Sequence, residues 1–434
     1  MADELTEWLA RETRAILNNE NPSNRYAASP ISSGGSASSF ERQIADQLVA
    51  EALENGLSVG KVRIEDIPLR GGNTADRVAK LNLSLPFVFK MDVNSRKLAD
   101  EGRTVRLIKT DERLPSLFKD AWPNIFAVRS EAPFAYLMEY FPKEEGWISL
   151  EDRLYPEPSD LKARDRKSDS AEADPQFFQS EVPRWMARIL DVLFSGWTAS
   201  VDQRSSPRLE EDYLGRIASR LESAEDKDDR FRSQPLEITS PAVERLELRP
   251  WREYVSILER NHDRLLAMTP PFRTVVHGDP NPGNLLLKIT PSEVAVRMID
   301  PKEWYWGDYL FDIAKITHFL QATGPVEKPA LGSTSPTVAY SKTAAGGRFE
   351  YSYATPLWTE RAVSMCLERV RQFAKQHGDT QWLERYELAM ASNLLGLPIG
   401  RLNSKKAPRA DSAMILYCEG LLWLDQLCKR WENA

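Results

Sequence analysis

The chain has 434 residues, 42% of them hydrophobic and 28% charged, with a formal net charge of -7. That length exceeds one small core and predicts two lobes of globular protein. The negative balance argues against a nucleic-acid partner, whose phosphates it would repel, and leaves cationic or neutral small ligands as the better fit.

The opening MADELTEWLARETRAILNN carries acids from the third position and sets Leu5, Trp8, Leu9, Ile16 and Leu17 at helical spacing. It predicts a short amphipathic helix and no signal peptide. ISSGGSASSF (31–40) follows, and with no strand ahead of it its Gly-Gly reads as a linker rather than a phosphate loop. Residues 1–59 are therefore expected to be a helical extension and linker. No stretch reaches the length of a membrane span, so no membrane partner is expected.

From residue 61 the pattern changes to strands, in KVRIEDIPLRGGNTADRVAKLNLSLPFVFKMD. Gly71 and Gly72, between two of them, can present N–H groups to phosphate or simply make a hairpin turn, and both readings stand. Lys90 closes PFVFK on the face of Pro86 and Val88, opposite Phe87 and Phe89. In the helical segment that follows, Leu98, Glu101, Val105 and Ile108 recur at intervals of three, four and three, which sets Glu101 on the apolar stripe. An inward Glu eleven residues after an inward Lys suggests an ion pair, with two solvated surface charges as the alternative. PFAYLMEYFP (133–142) is a strand that runs into a proline and closes the segment 60–142.

The charged, Ser-rich residues around 156–175 read as an insertion or linker. Beyond them Phe178, Val182, Trp185, Ile189 and Leu193 predict an amphipathic helix from Ser180, with Pro183 in its first turn. Helical patterning continues through DYLGRIASRLESA and WREYVSILERNHDRLLAM, so helices are expected to dominate 143–434.

At 275–288 the chain reads VVHGDPNPGNLLLK. Gly278, Pro280, Pro282 and Gly283 break both periodicities, leaving a rigid turn between two short strands with Asp279 at its tip and Asn284 five residues on. Next, VAVRMIDPKEWYWGDYLFDIAKITHFL ends a strand at Asp300 and enters a helix at Asp308 and Asp312. Two carboxylates (Asp279, Asp300) and the Asn284 amide at one end of a hairpin-like unit suit a base beside a hard cation, with magnesium and a nucleotide the natural candidates.

His277-Gly278-Asp279 with Asn284, then Ile299-Asp300, then Gly307-Asp308 with Asp312-Ile313-Ala314 resemble, in order and spacing, the aminoglycoside phosphotransferase and choline kinase superfamily. The resemblance covers residues 60 to about 320. It implies an α+β, two-lobed protein-kinase-like fold, with a small β-rich N-lobe (60–142) and a large, mostly helical C-lobe (143–434). It also implies a Mg2+-dependent transfer of the γ-phosphate of ATP or GTP to a hydroxyl of a sugar, amino alcohol or aminoglycoside. In that scheme Gly71 and Gly72 form the nucleotide loop, Lys90 and Glu101 position the phosphates, and 137–140, with Glu139 and Tyr140, lie beside the purine. Asp279 accepts or orients the hydroxyl proton, Asn284 and Asp300 hold magnesium, and His277, Asp308 and Asp312 brace the loop. Asp300 is followed by Pro301, Lys302 and Glu303 rather than a Phe-Gly or Trp pair, which brings Lys302 toward the phosphates. A protein kinase or nucleotidyl transferase on the same fold, or a non-catalytic nucleotide-binding regulator, are the alternative functions.

The segment 324–347 reads as an irregular loop, with Tyr340, Tyr351 and Tyr353 as candidates to line an acceptor site. Two helical stretches then end in ILYCEGLLWLDQLCKRW, whose Leu421, Leu422, Leu424 and Leu427 read as core. Cys366, Cys418 and Cys428 are odd in number and lack metal spacing, so buried reduced thiols and a reducing cytoplasm are expected.

Overall fold

The computed structural model describes residues 39–54, 63–68, 79–84, 87–156, 175–204, 206–302, 306–328, 334–404 and 409–433. The first expected helix, Pro86, Gly71 and Gly72, and most of the insertion around 156–175 lie outside them. Helices and small sheets mix along the chain, so the fold is α+β. The described residues form two compact units, one up to Thr110 together with Trp122–Pro142, the other Asp111–Ala121 together with those from Lys143 on. No described helix is long and apolar enough to cross a membrane.

The first unit holds helix α1 (Ser39–Glu54), the antiparallel pair β1 (Arg63–Pro68) and β2 (Ala79–Ser84), strand β3 (Phe87–Asp92), helix α2 (Lys97–Thr110), β4 (Ile125–Arg129) and β5 (Phe134–Glu139). The last two residues of the expected linker at 31–40 thus open α1. β3, β5 and β4 make an antiparallel sheet with β5 central, and strand alternation divides its two faces. Phe87, Phe89 and Met91 point one way with Ala135 and Leu137 and pack against Ile44 and Leu48 of α1. Lys90 pairs in register with Tyr136 and points the other way, toward α2. A Cβ on Gly102 of α2 would stand 3.2 Å from Tyr136 Cβ, so the missing side chain is what lets this helix approach the sheet.

The second unit begins with β6 (Trp147–Ser149), α3 (Pro175–Ser200), α4 (Arg216–Glu225), β7 (Leu236–Ser240), β8 (Val243–Leu248), α5 (Trp251–Arg260) and α6 (His262–Met268). There follow β9 (Thr274–Val275), β10 (Leu285–Ile289), β11 (Val294–Met298), β12 (Trp306–Gly307) and α7 (Tyr309–His318). It ends with β13 (Thr337–Lys342), β14 (Gly347–Ser352), α8 (Thr359–His377), α9 (Trp382–Leu395) and α10 (Ala410–Glu432). Every residue of α7 is buried, as is α9 from Arg385 to Leu395. Helices buried on every face lie in the centre of a large domain, and α7 is the element that carries Asp312. Leu421, Leu424 and Leu427 of α10 are fully buried, as are Cys366, Cys418 and Cys428, all three free thiols.

Three expectations are corrected here. Helix α3 starts at Pro175 rather than Ser180, which puts Pro183 well inside the helix. Phe177 and Phe178 pack edge-on to Trp185 at 6.3 and 6.4 Å, and this burial outweighs the hydrogen bond that the proline removes. Among the mostly helical elements of the second unit, β7 and β8 form a hairpin and join β13 and β14 in a four-stranded sheet, with β14 parallel to β7. The segment 324–347 is not irregular throughout, since β13 lies within it as that sheet's edge strand, and three long helices follow rather than two stretches. β8 and β13 are the two edges, and the exposed positions of β8 are charged, so that strand lacks the apolar alternation that reveals a strand from sequence.

Candidate active site

The turn from β9 to β10 is pinned by backbone hydrogen bonds and by a buried side chain of α7. Gly278 has φ of 78°, in the left-handed region, and a Cβ there would lie 2.6 Å from Lys302 Cβ, so only glycine fits on both counts. The Lys302 N–H donates to the His277 carbonyl at 3.0 Å. Asp312, fully buried on α7, accepts the N–H groups of His277 and Gly278 at 2.8 Å each. The next N–H, that of Asp279, donates to His277 Nδ1 at 3.2 Å. Asn284 Nδ2 donates to the Asp279 carbonyl at 2.9 Å, and the Asn284 carbonyl accepts the Ile299 N–H at 3.0 Å. Asp279 and Asn284 are therefore brought together, and Asp300 follows Ile299 at the end of the neighbouring strand segment. Asp300 has φ of 58°, a conformation that Asp tolerates better than most residues because its short side chain bonds locally.

Burial and charge oppose each other around this turn. Burial pulls the His277 imidazole down to about 4, against the pull of Asp279 and Asp300, so it is neutral. Burial likewise pushes Asp312 up to about 7, although the two N–H groups it accepts work the other way. For Asp279 burial raises the pKa, but Lys315 and Lys302 outweigh it and hold the carboxylate below its ordinary value. Lys315 Nζ lies 3.1 Å from Asp279 Oδ1 with its side chain 6% exposed, and burial pulls its ammonium down to about 8. The acid at the tip is thus ionised and already paired.

A buried network fixes α7. Asp308 caps the helix by accepting the Leu310 N–H at 3.1 Å through Oδ1, while its Oδ2 accepts Tyr213 Oη and Arg385 Nε at 2.8 Å each. Arg385, fully buried, also donates to the Met268 carbonyl at 2.7 Å and pairs with Asp379. Asp379 in turn accepts Tyr309 Oη at 2.7 Å.

The hard-oxygen set expected for a cation is chemically apt. The Asn284 amide nitrogen is spent on the Asp279 carbonyl, which leaves its Oδ1 and the Asp300 carboxylate as the hard oxygens that a cation would take. Among the described residues no group of three or more His, Cys, Asp or Glu could hold a metal by itself. One carboxylate and one amide oxygen are what magnesium draws from a protein when phosphates and water complete its shell.

In the first unit Lys90 and Glu101 share Tyr136. Lys90 Nζ stands 5.3 Å from the centre of its ring, and its hydroxyl donates to Glu101 Oε2 at 3.4 Å. Glu139, at the end of β5, accepts the Asn124 N–H and Nδ2 at 3.1 Å each, and Tyr140 beside it is exposed. Of the tyrosines expected to line an acceptor site, Tyr351 is buried and donates to Glu419 at 3.0 Å, and Tyr340 packs on Phe349 at 4.8 Å. Tyr353 borders a cavity of about 350 Å³ that also takes Glu419 and Trp423 from α10, so the terminal helix is not purely core.

Sequence reasoning missed Tyr136, Lys315, Arg216, Arg385 and Asp379. Lys315 follows Asp312 by three residues and so shares its helix face, a signal that was available. Arg385 reaches Asp308 from 77 positions away, and no local pattern encodes that.

No curated protein matches the chain. Solved structures resemble it at low identity, three of them as follows. A thermostable mutant of the aminoglycoside phosphotransferase APH(4)-Ia in ternary complex with AMP-PNP and hygromycin B is 12% identical, with 86% of this chain and 96% of that one covered and a TM-score of 0.37. The apo form of a thermostable mutant of that enzyme is 13% identical, covering 88% and 99%, with a TM-score of 0.38. The ethanolamine kinase of Plasmodium vivax is 8% identical, covering 95% and 93%, with a TM-score of 0.41. The profile of the phosphotransferase enzyme family matches residues 175–333, the stretch that contains Asp279, Asn284, Asp300, Asp308 and Asp312. Over that stretch, which is less than half of the chain, the sequence is similar to the phosphotransferase enzyme family.

Proposed function

We propose that this chain is a small-molecule kinase that transfers the γ-phosphate of ATP or GTP to a hydroxyl group with magnesium bound. The observation that carries the reading is the pinned turn itself. Asp279 stands ionised at its tip, with the Asn284 and Asp300 oxygens on the adjoining backbone, all inside the stretch matched by the phosphotransferase profile.

Asp279 orients the acceptor hydroxyl and takes up its proton as the phosphoryl group leaves. Its lowered basicity suits orientation more than early proton abstraction. Asn284 and Asp300 hold the cation, which neutralises charge on the nucleotide phosphates. In the first unit, Lys90, kept in place by Tyr136 and Glu101, is assigned to the phosphates, and Glu139 and Tyr140 to the base. Gly71 and Gly72, which lie outside the described residues, are assigned to the nucleotide loop. Catalysis here is positioning and electrostatics, with no covalent intermediate required.

The test is a phosphate-transfer assay with labelled ATP or GTP and magnesium across sugars, sugar acids, amino alcohols and aminoglycosides, run beside Asp279→Asn. Wild-type turnover on at least one acceptor and a drop of about 10² or more in the variant, with nucleotide affinity retained, is the expected result. Equal turnover in the two proteins removes Asp279 from the mechanism and the reading with it.

A further inference from the structure

The charged groups facing Asp279 do not balance. Lys315, Lys302 and Arg216 all lie within electrostatic reach of this carboxylate. Lys315 is paired with Asp279 itself. Arg216, at the start of α4, has a buried Nε with no hydrogen-bond partner among the described residues. Its guanidinium carbon stands 5.8 Å from the centre of the Phe311 ring, and Lys315 Nζ approaches the same ring at 5.8 Å. Two cations thus flank one aromatic side chain beside the acid.

The carboxylate that acts on Arg216 is Asp279, which Lys315 already holds. Asp308 is taken by Arg385 and Tyr213. Asp312 accepts two backbone N–H groups and is pushed toward its neutral form by burial. Asp212 accepts the Arg208 N–H at 3.3 Å and is likewise raised by burial. Two other inward arginines are paired with acids, Arg385 with Asp308 and Asp379, and Arg401 with Glu327. A partly buried guanidinium that shares its one counter-charge with two lysines favours a further anion.

We propose that the hydroxyl acceptor of this kinase carries an anionic group, a carboxylate or a phosphate, which Arg216 binds with Lys315 beside it. The proposal rests on the phosphotransferase reading above and names the class of its acceptor. A planar guanidinium fork matches either anion, and its bonds are charge-assisted. On the Phe311 side of this cluster lies a cavity of about 230 Å³ lined by Asp212, Tyr213, Trp306, Gly307, Asp308 and Phe311. An ammonium-bearing acceptor meets like charge at the same place. The net charge of the whole chain pointed toward cationic or neutral ligands, and the local field next to Asp279 is the reverse.

The test titrates the nucleotide-free protein by calorimetry with D-glycerate, glycerol 3-phosphate and ethanolamine, then measures transfer from MgATP to each. The two anions should bind and be phosphorylated, with ethanolamine poorer by about tenfold or more in kcat/KM. Arg216→Met should raise Kd and KM for the anions about tenfold or more while leaving ATP affinity within about threefold, and Arg216→Lys should recover part of the loss. A thermal melt of each variant separates lost binding from lost folding, and Arg216→Lys decides the matter if Arg216→Met does not fold. Preference for ethanolamine overturns the proposal. So does an Arg216 variant that weakens ATP and spares the anions, because the guanidinium then serves the donor phosphates. Arg216-dependent anion binding with no MgATP use keeps the anion site and sinks the kinase reading instead.

Discussion

The Asp312 carboxylate accepts the Gly278 N–H at 2.8 Å, so the residue before Asp279 is held by a side chain from the centre of α7. Asp312→Asn keeps one acceptor oxygen but turns an NH2 group toward the second N–H. One buried donor is then left facing a donor, which costs about 1–3 kcal/mol. The variant should lose that much stability in urea unfolding and drop about tenfold or more in turnover, because Asp279 shifts. An unchanged midpoint together with unchanged kcat would mean that the turn is held by other contacts.

Asp300→Ala tests the cation. A single carboxylate commonly anchors magnesium whose other ligands are phosphate and water. The variant should bind nucleotide equally well with and without magnesium, whereas wild-type affinity should rise with the metal. If magnesium still tightens nucleotide binding in the variant, Asp300 is not the anchor.

The local parts of this architecture were legible in the sequence, and the non-local ones were not. Gly278, Pro280, Pro282 and Gly283 mark the turn because they break every regular period, and the five-residue step from Asp279 to Asn284 lies within it. Lys90 and Glu101 were readable as inward because strand and helix periods place them so, yet Tyr136, which joins them, depends on the register of β5 against β3. Arg216 and Arg385 reach α7 from helices far apart in the chain. The hairpin of β7 and β8 escaped because VERLEL carries charge at exposed positions of an edge strand, where charge protects against further pairing.

Two buried histidines give stability a pH dependence. Burial first, then Lys315 and Arg401, pull His318 well below its ordinary value, against Asp279, and burial pulls His277 to about 4. Both are neutral when folded, so their contribution is complete above about 6.5 and is lost as pH falls and the unfolded chain takes up their protons. Asp312, raised to about 7, has the opposite sign, because the folded state binds its proton first. Comparison with His318→Gln, which can still hydrogen-bond Thr323, isolates one group. Below about pH 6 the slope of unfolding free energy against pH should be smaller in the variant by about 1.4 kcal/mol per pH unit, one proton's worth. Parallel curves for the two proteins would show that His318 is protonated in the fold.

Arg385 is where loss of one side chain should cost most. Its guanidinium is fully buried, and the two acids it serves, Asp308 and Asp379, are 5% and 3% exposed. Arg385→Met removes the charge and leaves both carboxylates buried without it, a loss of about 3–5 kcal/mol. By contrast, Arg208→Ala breaks the exposed pair Arg208–Glu211, at 3.0 Å with both side chains more than half exposed, and should cost no more than about 0.5 kcal/mol. Because Asp308 caps α7 and that helix carries Asp312 and Lys315, Arg385→Met should also lower kcat. Removing the stranded charges in the triple variant Arg385→Met, Asp308→Asn, Asp379→Asn should recover part of the stability but not the turnover, since the cap geometry is not restored. Urea unfolding of the four proteins, with kcat measured on each, distinguishes the outcomes. An Arg385→Met midpoint within about 0.5 kcal/mol of wild type would show that packing, not charge pairing, holds α7 in place.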